Sequence, residues 1–273
     1  MKRIVLCADD YGQAPTVSQG IIDLLELGRL SAVSCMVNSP FWPVHATWLL
    51  PFQHAIDIGL HLNLTEGKPL SKPFIEAYGE SLFSLSALMY RGLVRQLNKD
   101  ILEAECLAQI DQFVEMRGCL PAFVDGHQHI HQFPVIREAL ISAYNKRLRA
   151  ERVYLRLVNE KIKWIDVKKR IIQGMGTKRF QSLLNKNDIP YNQSFAGIYS
   201  LSPRVHYATL FPRFLNEIKD QGLIMCHPGL PTSSALDLIS EARYNEYQYF
   251  ISSQFLEACR KENVVLSRGT FIA

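Results

Sequence analysis

The sequence predicts an α/β protein, built as a single (β/α) barrel of seven or eight parallel strands. Short apolar runs alternate with longer amphipathic runs along the chain, which is typical of strand–helix units joined into a parallel sheet. The chain has 273 residues, and such barrels commonly have about 250. No G-x-G-x-x-G segment follows the first strand, so a dinucleotide-binding fold has no support. An open doubly wound sheet is the alternative. Because no linker or internal repeat is visible, we predict one domain covering residues 1–273.

The first strand–helix unit sets the pattern for the rest. Ile4–Ala8 is a short apolar run, typical of a buried strand. Apolar residues then recur at helical spacing in Thr16–Leu27, and Gly28 suits the end of that helix. Two further apolar runs, Ala32–Val37 and Ala55–Leu60, predict the second and third strands.

The middle of the chain contains a clear helix and a stretch without pattern. Ile101–Met116 has helical periodicity, with Asp100 as its predicted N-cap and Gly118 beyond its end. Glu66–Ser84 lacks periodicity, and its glycine and proline residues predict a loop, a candidate lid over the site. The remaining predicted strands are Phe123–Asp125, Val153–Leu157, Ser194–Ile198, Leu223–Cys226 and Val264–Ser267. The remaining predicted helices are Val135–Tyr144, Ile165–Leu184, Tyr207–Lys219 and Tyr247–Lys261.

Composition and charge exclude several classes of protein. Hydrophobic residues make up 48% and charged residues 21%, which are ordinary values for a globular enzyme. The net charge of +4 is mild and the basic residues are mostly scattered, so we expect no nucleic-acid partner. The six cysteines contain no C-x-x-C pair and indicate reduced thiols. The first apolar run is too short for a signal peptide and no run approaches a membrane span, so we expect a cytoplasmic protein without membrane contact.

Polar residues gather just past the ends of the predicted strands. Asp9 and Asp10 follow the first strand, His61 follows the third, and His227 follows Leu223–Cys226. The segment DGHQHIHQFP brings three alternating histidines after the fourth strand. Because the carboxyl ends of parallel strands lie at one face of an α/β fold, these residues are expected to converge.

Each of these groups also has a purely structural interpretation. The two aspartates could form a turn with an N-cap, and His61 and His227 could be hydrogen-bonded core residues. Three alternating histidines are harder to explain this way, since burying polar rings without partners costs a few kcal/mol. Taken together, one carboxylate and two imidazoles form a common metal-ligand set with positions left open. A second carboxylate could accept a proton from water, and a further histidine could protonate a leaving group. These are the parts needed to hydrolyse an amide or ester.

Four motifs in order resemble the YdjC-like family, whose known members include chitooligosaccharide deacetylases. The motifs are ADDYG, GLHLNLTEGKPL, VDGHQHIH and MCHPG, and the resemblance spans Arg3 to about Gly229. It implies a cytoplasmic α/β barrel, often a homodimer, with a divalent metal in an Asp-His-His site. It also implies removal of N-acetyl groups from acetylated amino-sugar oligosaccharides.

The resemblance assigns roles residue by residue. The second aspartate of ADD falls on Asp10, the histidine of GLHL on His61, and the first histidine of the HQHIH run on His127, and these are the implied metal ligands. The first aspartate falls on Asp9, the implied base. The histidine of MCHP falls on His227, the implied acid or intermediate-stabilising group.

One departure from the family is visible: Gly126-His127-Gln128 stands where the family often has Ser-His-His, with the ligand position retained. The family commonly has an arginine and a later glutamate after the fifth strand, matched here by Arg156 and Glu160. For Arg156 the resemblance predicts contact with the sugar, a structural salt bridge being the alternative.

Two other functions stay open at this level. A metal-dependent phosphoesterase or other amidohydrolase could use the same barrel, although phosphoesterases usually have His-x-His after the first strand, where this chain has Asp-Asp. A non-enzymatic sugar-binding or regulatory barrel would leave Asp9 and His227 without a task. The ligand types admit either Mg²⁺ or Zn²⁺.

Overall fold

The computed structural model describes residues 1–159, 176–234 and 237–269. In these ranges each strand except the last is followed by at least one helix. The strands are β1 (Lys2–Tyr11), β2 (Ala32–Cys35), β3 (Asp57–Leu62), β4 (Phe123–Gly126), β5 (Tyr154–Leu155), β6 (Phe195–Ala196), β7 (Gly222–Cys226) and β8 (Val264–Leu266). The helices are α1 (Pro15–Glu26), α2 (Trp42–Trp48), α3 (Lys72–Tyr78), α4 (Leu85–Leu93), α5 (Lys99–Arg117), α6 (Ile136–Arg147), α7 (Thr177–Lys186), α8 (Tyr207–Glu217), α9 (Ser240–Ile251) and α10 (Ser253–Lys261).

The strands form one parallel sheet that curls into an incomplete barrel. Seven strands follow the order β5-β4-β3-β2-β1-β7-β6, and β8 pairs with the start of β1. The two ends of the row meet where the amide of Leu155 donates to the carbonyl of Pro190 at 2.9 Å. The side chain of Asn192 adds bonds to the amide and carbonyl of Leu157, at 2.8 and 2.9 Å. The predicted α/β barrel of seven or eight parallel strands is confirmed, with a side-chain amide bridging its open side.

Alternate residues of each strand face the barrel interior or the surrounding helices. On β1, Val5 and Cys7 pack inside the barrel, whereas Leu6 lies in the larger core beneath the helices. Phe123 fills the interior next to β3, where a Cβ on Gly59 would lie 2.4 Å from its ring. Each large apolar side chain buried in this way stabilises the fold by about 1.5–3 kcal/mol. Side chains therefore fill the lower interior of the barrel, and the cavity of the candidate site lies above them, at the carboxyl ends of the strands.

The start of α5 differs from the prediction. The N-cap is Asn98, whose side chain accepts hydrogen bonds from the amides of Asp100 and Ile101 at 2.8 and 3.3 Å. Asp100 instead lies in the first turn, where a negative charge favours the helix dipole. Gly118 ends the helix with φ of +70°, as predicted.

The predicted loop Glu66–Ser84 is wrong in part, because it contains α3. The hydroxyl of Ser71 accepts from the amide of Phe74 and caps this helix. Pro73 lies in the first turn, where a missing amide hydrogen costs nothing. The proline that suggested a loop therefore marks a helix start.

Two other helix predictions need correction. The predicted helix Tyr247–Lys261 is two helices, α9 and α10, because Ser252 between them is extended, with φ −74° and ψ 161°. Of the predicted helix Ile165–Leu184, residues 165–175 lie outside the described ranges, and the described end belongs to α7. In the parts of the chain that the structure describes, no helix is long and apolar enough to span a membrane.

Candidate active site

The polar residues of the site form the top layer of the barrel interior. The inward row of β1 passes from Cys7 to Asp9, and the inward row of β7 passes from Met225 to His227. His61 occupies the matching position at the end of β3. The side chains of Asp9, His61, Met225 and His227 line a cavity of about 330 Å³ at the carboxyl ends of the strands. The period of two along each strand thus converts separate sequence motifs into one polar layer.

Asp10 breaks this alternation. Since Asp9 faces the interior, its neighbour should face the helices, as Ala8 does. The pairing of β1 with β2 instead shifts register between Ala8 and Tyr11, and Asp10 has φ of +67°. A bulge of this kind re-aims a side chain, and here it brings both aspartates to the same cavity. The left-handed backbone of a non-glycine residue costs about 1–3 kcal/mol, a strain often found at functional sites.

Asp10, His61 and His127 form a buried group whose chemistry suits a metal ion. One ligand atom from each lies within 4.8 Å of the other two. The Oδ1 atom of Asp10 is 3.2 Å from Nε2 of His61 and 2.9 Å from Nδ1 of His127. The structure therefore brings together the three residues that the family resemblance predicts as ligands.

The second ring nitrogen of each histidine is held by a carboxylate. Nδ1 of His61 lies 2.6 Å from Oδ1 of Asp125, which also accepts from the hydroxyl of Ser34 at 2.6 Å. Nε2 of His127 lies 3.0 Å from Oε1 of Glu66. Such carboxylate–histidine pairs orient the imidazoles of metal sites and fix which nitrogen faces the ion.

The acidic surroundings attract positive charge to these two imidazoles. Burial by itself would lower the pKa of His61, but Asp125 and Asp10 raise it to about 10. Burial opposes a similar shift at His127, where Asp10 and Glu66 raise the pKa to about 9. A metal cation would be attracted by the same negative charges, and on binding it would displace the protons from the two imidazoles.

A hydrogen-bonded ring ties two of these residues to distant parts of the chain. Oδ2 of Asp10 accepts from Nη2 of Arg243 at 2.8 Å, and the same nitrogen donates to Oε1 of Gln13 at 2.7 Å. Gln13 donates in turn to Oε2 of Glu66 at 2.9 Å. Glu66 and Asp10 both contact His127, which closes the ring.

Asp9 is held by an arginine directly behind it. The Nη1 and Nη2 atoms of Arg156 donate to its two oxygens at 2.6 and 2.7 Å, and Nη2 also pairs with Asp125 at 2.5 Å. Burial would raise the pKa of Asp9, but Arg156 holds it far below its usual range. A second cluster of possible metal ligands, Cys7, Asp9 and Asp125, thus already contains a cation, because the guanidinium of Arg156 pairs with both carboxylates.

The position of Arg156 favours the structural salt bridge over the predicted contact with a sugar, which stays a prediction. Its side chain is completely buried beneath the carboxylates and does not line the cavity. The salt bridge, the alternative role, is the one that the structure shows. Glu160, which the resemblance pairs with it, lies outside the described residues.

His227 reaches the same cavity from the loop after β7. Its backbone amide donates to Oε2 of Glu246 at 2.5 Å, and Oε1 of Glu246 accepts from the hydroxyl of Tyr199 at 2.6 Å. The buried Nδ1 of the imidazole has no hydrogen-bond partner among the residues that the structure describes. Burial lowers the pKa of His227, against the pull of Asp10 and Asp9.

The other two histidines of the HQHIH run divide between the core and the cavity. Nε2 of His131 donates to the carbonyl of Arg156 at 2.9 Å, and burial lowers its pKa to about 4, as suits a structural residue. His129 lines the cavity, packs edge-on against Phe195 and has φ of +61°.

Comparison with known proteins agrees with this geometry. The family model described as YdjC-like protein matches residues 3–261. The chain belongs to the YdjC-like family. The match includes every cavity residue named above, so the predicted resemblance is confirmed.

Relatives of this YdjC-like chain share part of its length. A carbohydrate deacetylase from Danio rerio is 36% identical over 143 residues, which cover 50% of this chain and 44% of the relative. A chitooligosaccharide deacetylase from Yersinia enterocolitica is 33% identical over 150 residues, covering 54% and 58%. The chain therefore spans about half the length of these relatives.

One solved structure matches the whole YdjC-like chain. A protein from Enterococcus faecalis, provisionally described as a cellobiose-phosphate cleavage protein, has a TM-score of 0.76 at 19% identity. The match covers 100% of this chain and 99% of that one. At this identity the likeness concerns the fold, and it supports the curled parallel barrel.

Sequence reasoning missed the residues that hold the site together. Glu66 has a signal in hindsight, because it lies in the GLHLNLTEG motif three residues after Asn63. Arg243 and Glu246 are three residues apart on the buried face of α9, where charged side chains are unusual. In the sequence, the one signal for Arg243 and Glu246 is that two charged residues fall three positions apart among the apolar residues of a helix.

Proposed function

We propose that this chain is a metal-dependent carbohydrate deacetylase, which removes N-acetyl groups from acetylated amino-sugar oligosaccharides such as chitooligosaccharides. One observation carries the proposal: a buried Asp-His-His group, a carboxylate held charged and a further histidine line one cavity. The names of the relatives support the same activity. Because those matches cover about half of each relative, both activity and substrate are proposals for this chain.

In this proposal Asp10, His61 and His127 hold a divalent ion, Mg²⁺ or Zn²⁺. Two observations support the fit: the donor atoms converge, and each imidazole is oriented by a carboxylate, Asp125 or Glu66. One carboxylate and two imidazoles leave positions free for water and substrate. When bound, the ion would lower the pKa of water and polarise the acetamide carbonyl.

Asp9 and His227 are the two proton-handling groups of the proposed reaction. Asp9 accepts a proton from the attacking water, and the two hydrogen bonds from Arg156 hold its carboxylate in a fixed orientation. His227 must be protonated to act as the acid, and the carboxylates of Asp10 and Asp9 favour that form by raising its pKa against the effect of burial. It then donates this proton to the amide nitrogen as the C–N bond breaks. Water and the acetamide are thereby converted to acetate and a free amine. Arg156 acts through Asp9 and does not contact the sugar.

The phosphoesterase alternative receives less support from the cavity. A phosphate ester needs a cationic side chain available to its oxygens. Among the described residues lining the cavity, the one arginine is Arg243, and it is paired with Asp10 and Asp237 at 2.8 and 3.1 Å. A non-catalytic sugar-binding barrel would give no reason for Asp9 to line the cavity, or for a buried Arg156 to hold its carboxylate from beneath.

The test is acetate release from diacetylchitobiose by chelator-treated protein, with and without added Mg²⁺ or Zn²⁺. We expect turnover that depends on the added ion. p-Nitrophenyl phosphate under the same conditions tests the phosphoesterase. Phosphate release without acetate release would replace the proposal by that alternative, and binding of the sugar without turnover would replace it by a binding protein. The cytoplasmic location and the homodimer stay predictions.

A further inference from the structure

Helix α9 carries two charged residues on its buried face. Arg243 and Glu246 are both almost fully buried, among the apolar side chains of Ala242, Tyr249 and Phe250. Burying ionisable groups is costly unless each finds specific partners. The partners of both residues lie in the candidate site, which indicates a task beyond packing.

Arg243 fixes the carboxylate of Asp10. Its Nη2 holds Oδ2 at 2.8 Å, which leaves Oδ1 facing the imidazoles of His61 and His127. Its Nε is held by Asp237 at 3.1 Å, so the guanidinium is itself clamped between two carboxylates. The strained backbone of Asp10 brings its side chain to the cavity. The hydrogen bond from Arg243 then determines which carboxylate oxygen faces the two imidazoles.

Glu246 fixes the backbone that carries His227. The imidazole Nδ1 of His227 lacks a partner in the described part of the chain, so no second side chain orients the ring from that nitrogen. Its amide is held by Glu246, and the amide of Gly229 donates to the carbonyl of Arg243 at 3.2 Å. The loop bearing the histidine is therefore attached to α9 at two points, one helical turn apart.

We propose that α9 is a positioning element that sets two parts of the site from one rigid helix. Arg243 orients the metal-ligand carboxylate of Asp10, and Glu246 places the imidazole of His227. The role of Arg243 concerns ion binding and does not depend on the proposed deacetylase activity. The role of Glu246 rests on that activity only for the kinetic test described below.

The role of Arg243 is tested by calorimetric titration with Zn²⁺. Arg243→Gln should weaken binding by about tenfold, the lower end of the effect of losing a partner that orients a metal ligand. Arg243→Lys keeps the charge, so its Zn²⁺ affinity should lie between those of Arg243→Gln and wild type. This variant tests the role of Arg243 if Arg243→Gln does not fold. Arg260→Gln, on the exposed face of α10, is the matched control. Unchanged or tighter binding in both Arg243 variants would overturn the proposal.

The role of Glu246 is tested first without activity. In ¹⁵N-histidine NMR, Glu246→Gln should shift the imidazole signals that disappear in His227→Ala. The same change at exposed Glu241, on the opposite face of α9, should leave them in place. Unshifted His227 signals in Glu246→Gln would overturn this part of the proposal, whether or not the protein proves to be a deacetylase.

The kinetic test of Glu246 separates positioning from general damage. Glu246→Gln should lower kcat for an acetamide about tenfold, with KM and Zn²⁺ affinity close to wild type. The loss should be smaller for an acetate ester, whose alcohol leaves without full protonation. Equal loss on both substrates, together with unshifted His227 signals, would mean that Glu246 serves only the fold. Wild type that hydrolyses neither substrate would refute the proposed function, and the titration and NMR results would still decide the positioning roles.

Discussion

Replacing Asp9 by asparagine separates the proposed base from the proposed metal ligands. The side chain keeps its shape, and the guanidinium of Arg156 keeps its ion pair with Asp125 at 2.5 Å, so the fold should survive. A positioned base contributes about 10²–10⁴-fold to a rate, which corresponds to about 2.7–5.4 kcal/mol of activation free energy. Metal affinity should change little, since Asp9 faces Arg156 and is not part of the Asp10 group.

The matched control is Asp125→Asn, which removes the other carboxylate that contacts Arg156. Because Asp125 orients His61 at 2.6 Å, this variant should weaken metal binding by about tenfold or more. Acetate release from diacetylchitobiose gives kcat, and calorimetry gives the metal Kd for both variants. Loss of the metal in Asp9→Asn would show that Asp9 is itself a ligand, and a kcat within threefold of wild type would show that Asp9 is not the base.

Three further predictions concern the ligands and His227. His61→Ala and His127→Ala should each abolish metal binding together with activity, and a double variant with full metal occupancy by elemental analysis would contradict the assignment. Metal affinity should fall as pH falls, because protons compete with the ion for the two imidazoles. The pKa of His61 is raised to about 10 and that of His127 to about 9, so both rings carry a proton at pH 7 when no metal is bound. Titration in buffers of different ionisation enthalpy should then show about two protons released per ion; release of none would mean that the rings are already neutral. His227→Ala should keep the metal and most substrate affinity but lose turnover, less on an ester than on an amide. Equal loss would indicate oxyanion stabilisation instead, and no loss would make His227 a structural residue.

The period of two along strands made much of the site predictable. Asp9, His61 and His227 continue inward rows, so their convergence followed from the strand pattern and the rule that parallel strands end at one face. Asp10 did not follow from that pattern. Its inward direction needs a bulge, and a bulge depends on pairing between strands that sequence alone does not reveal.

The charged partners of the site were not predictable, for a different physical reason. Arg243 lies 233 positions from Asp10, and Glu66 lies 61 positions from His127, so no local spacing connects them. For Arg156 the sequence marked the residue as part of the site, but it did not show which way the side chain points. Whether an arginine after a strand points to the cavity or beneath it depends on packing that only the folded chain defines.

The hydrogen-bonded ring has a consequence for which amino-acid substitutions this site can tolerate during evolution. Asp10, Arg243, Gln13, Glu66 and His127 form a closed circuit, and we expect its links to act as one unit that holds only while all of them are present. Once one link is cut, the circuit is open and a second cut removes less than it would alone. Effects of paired substitutions should therefore be smaller than their sums, in contrast to the additivity of distant sites. Natural variants are expected to keep the circuit entire or to lose several links together, and a chain with only Gln13 replaced should be the rarer intermediate.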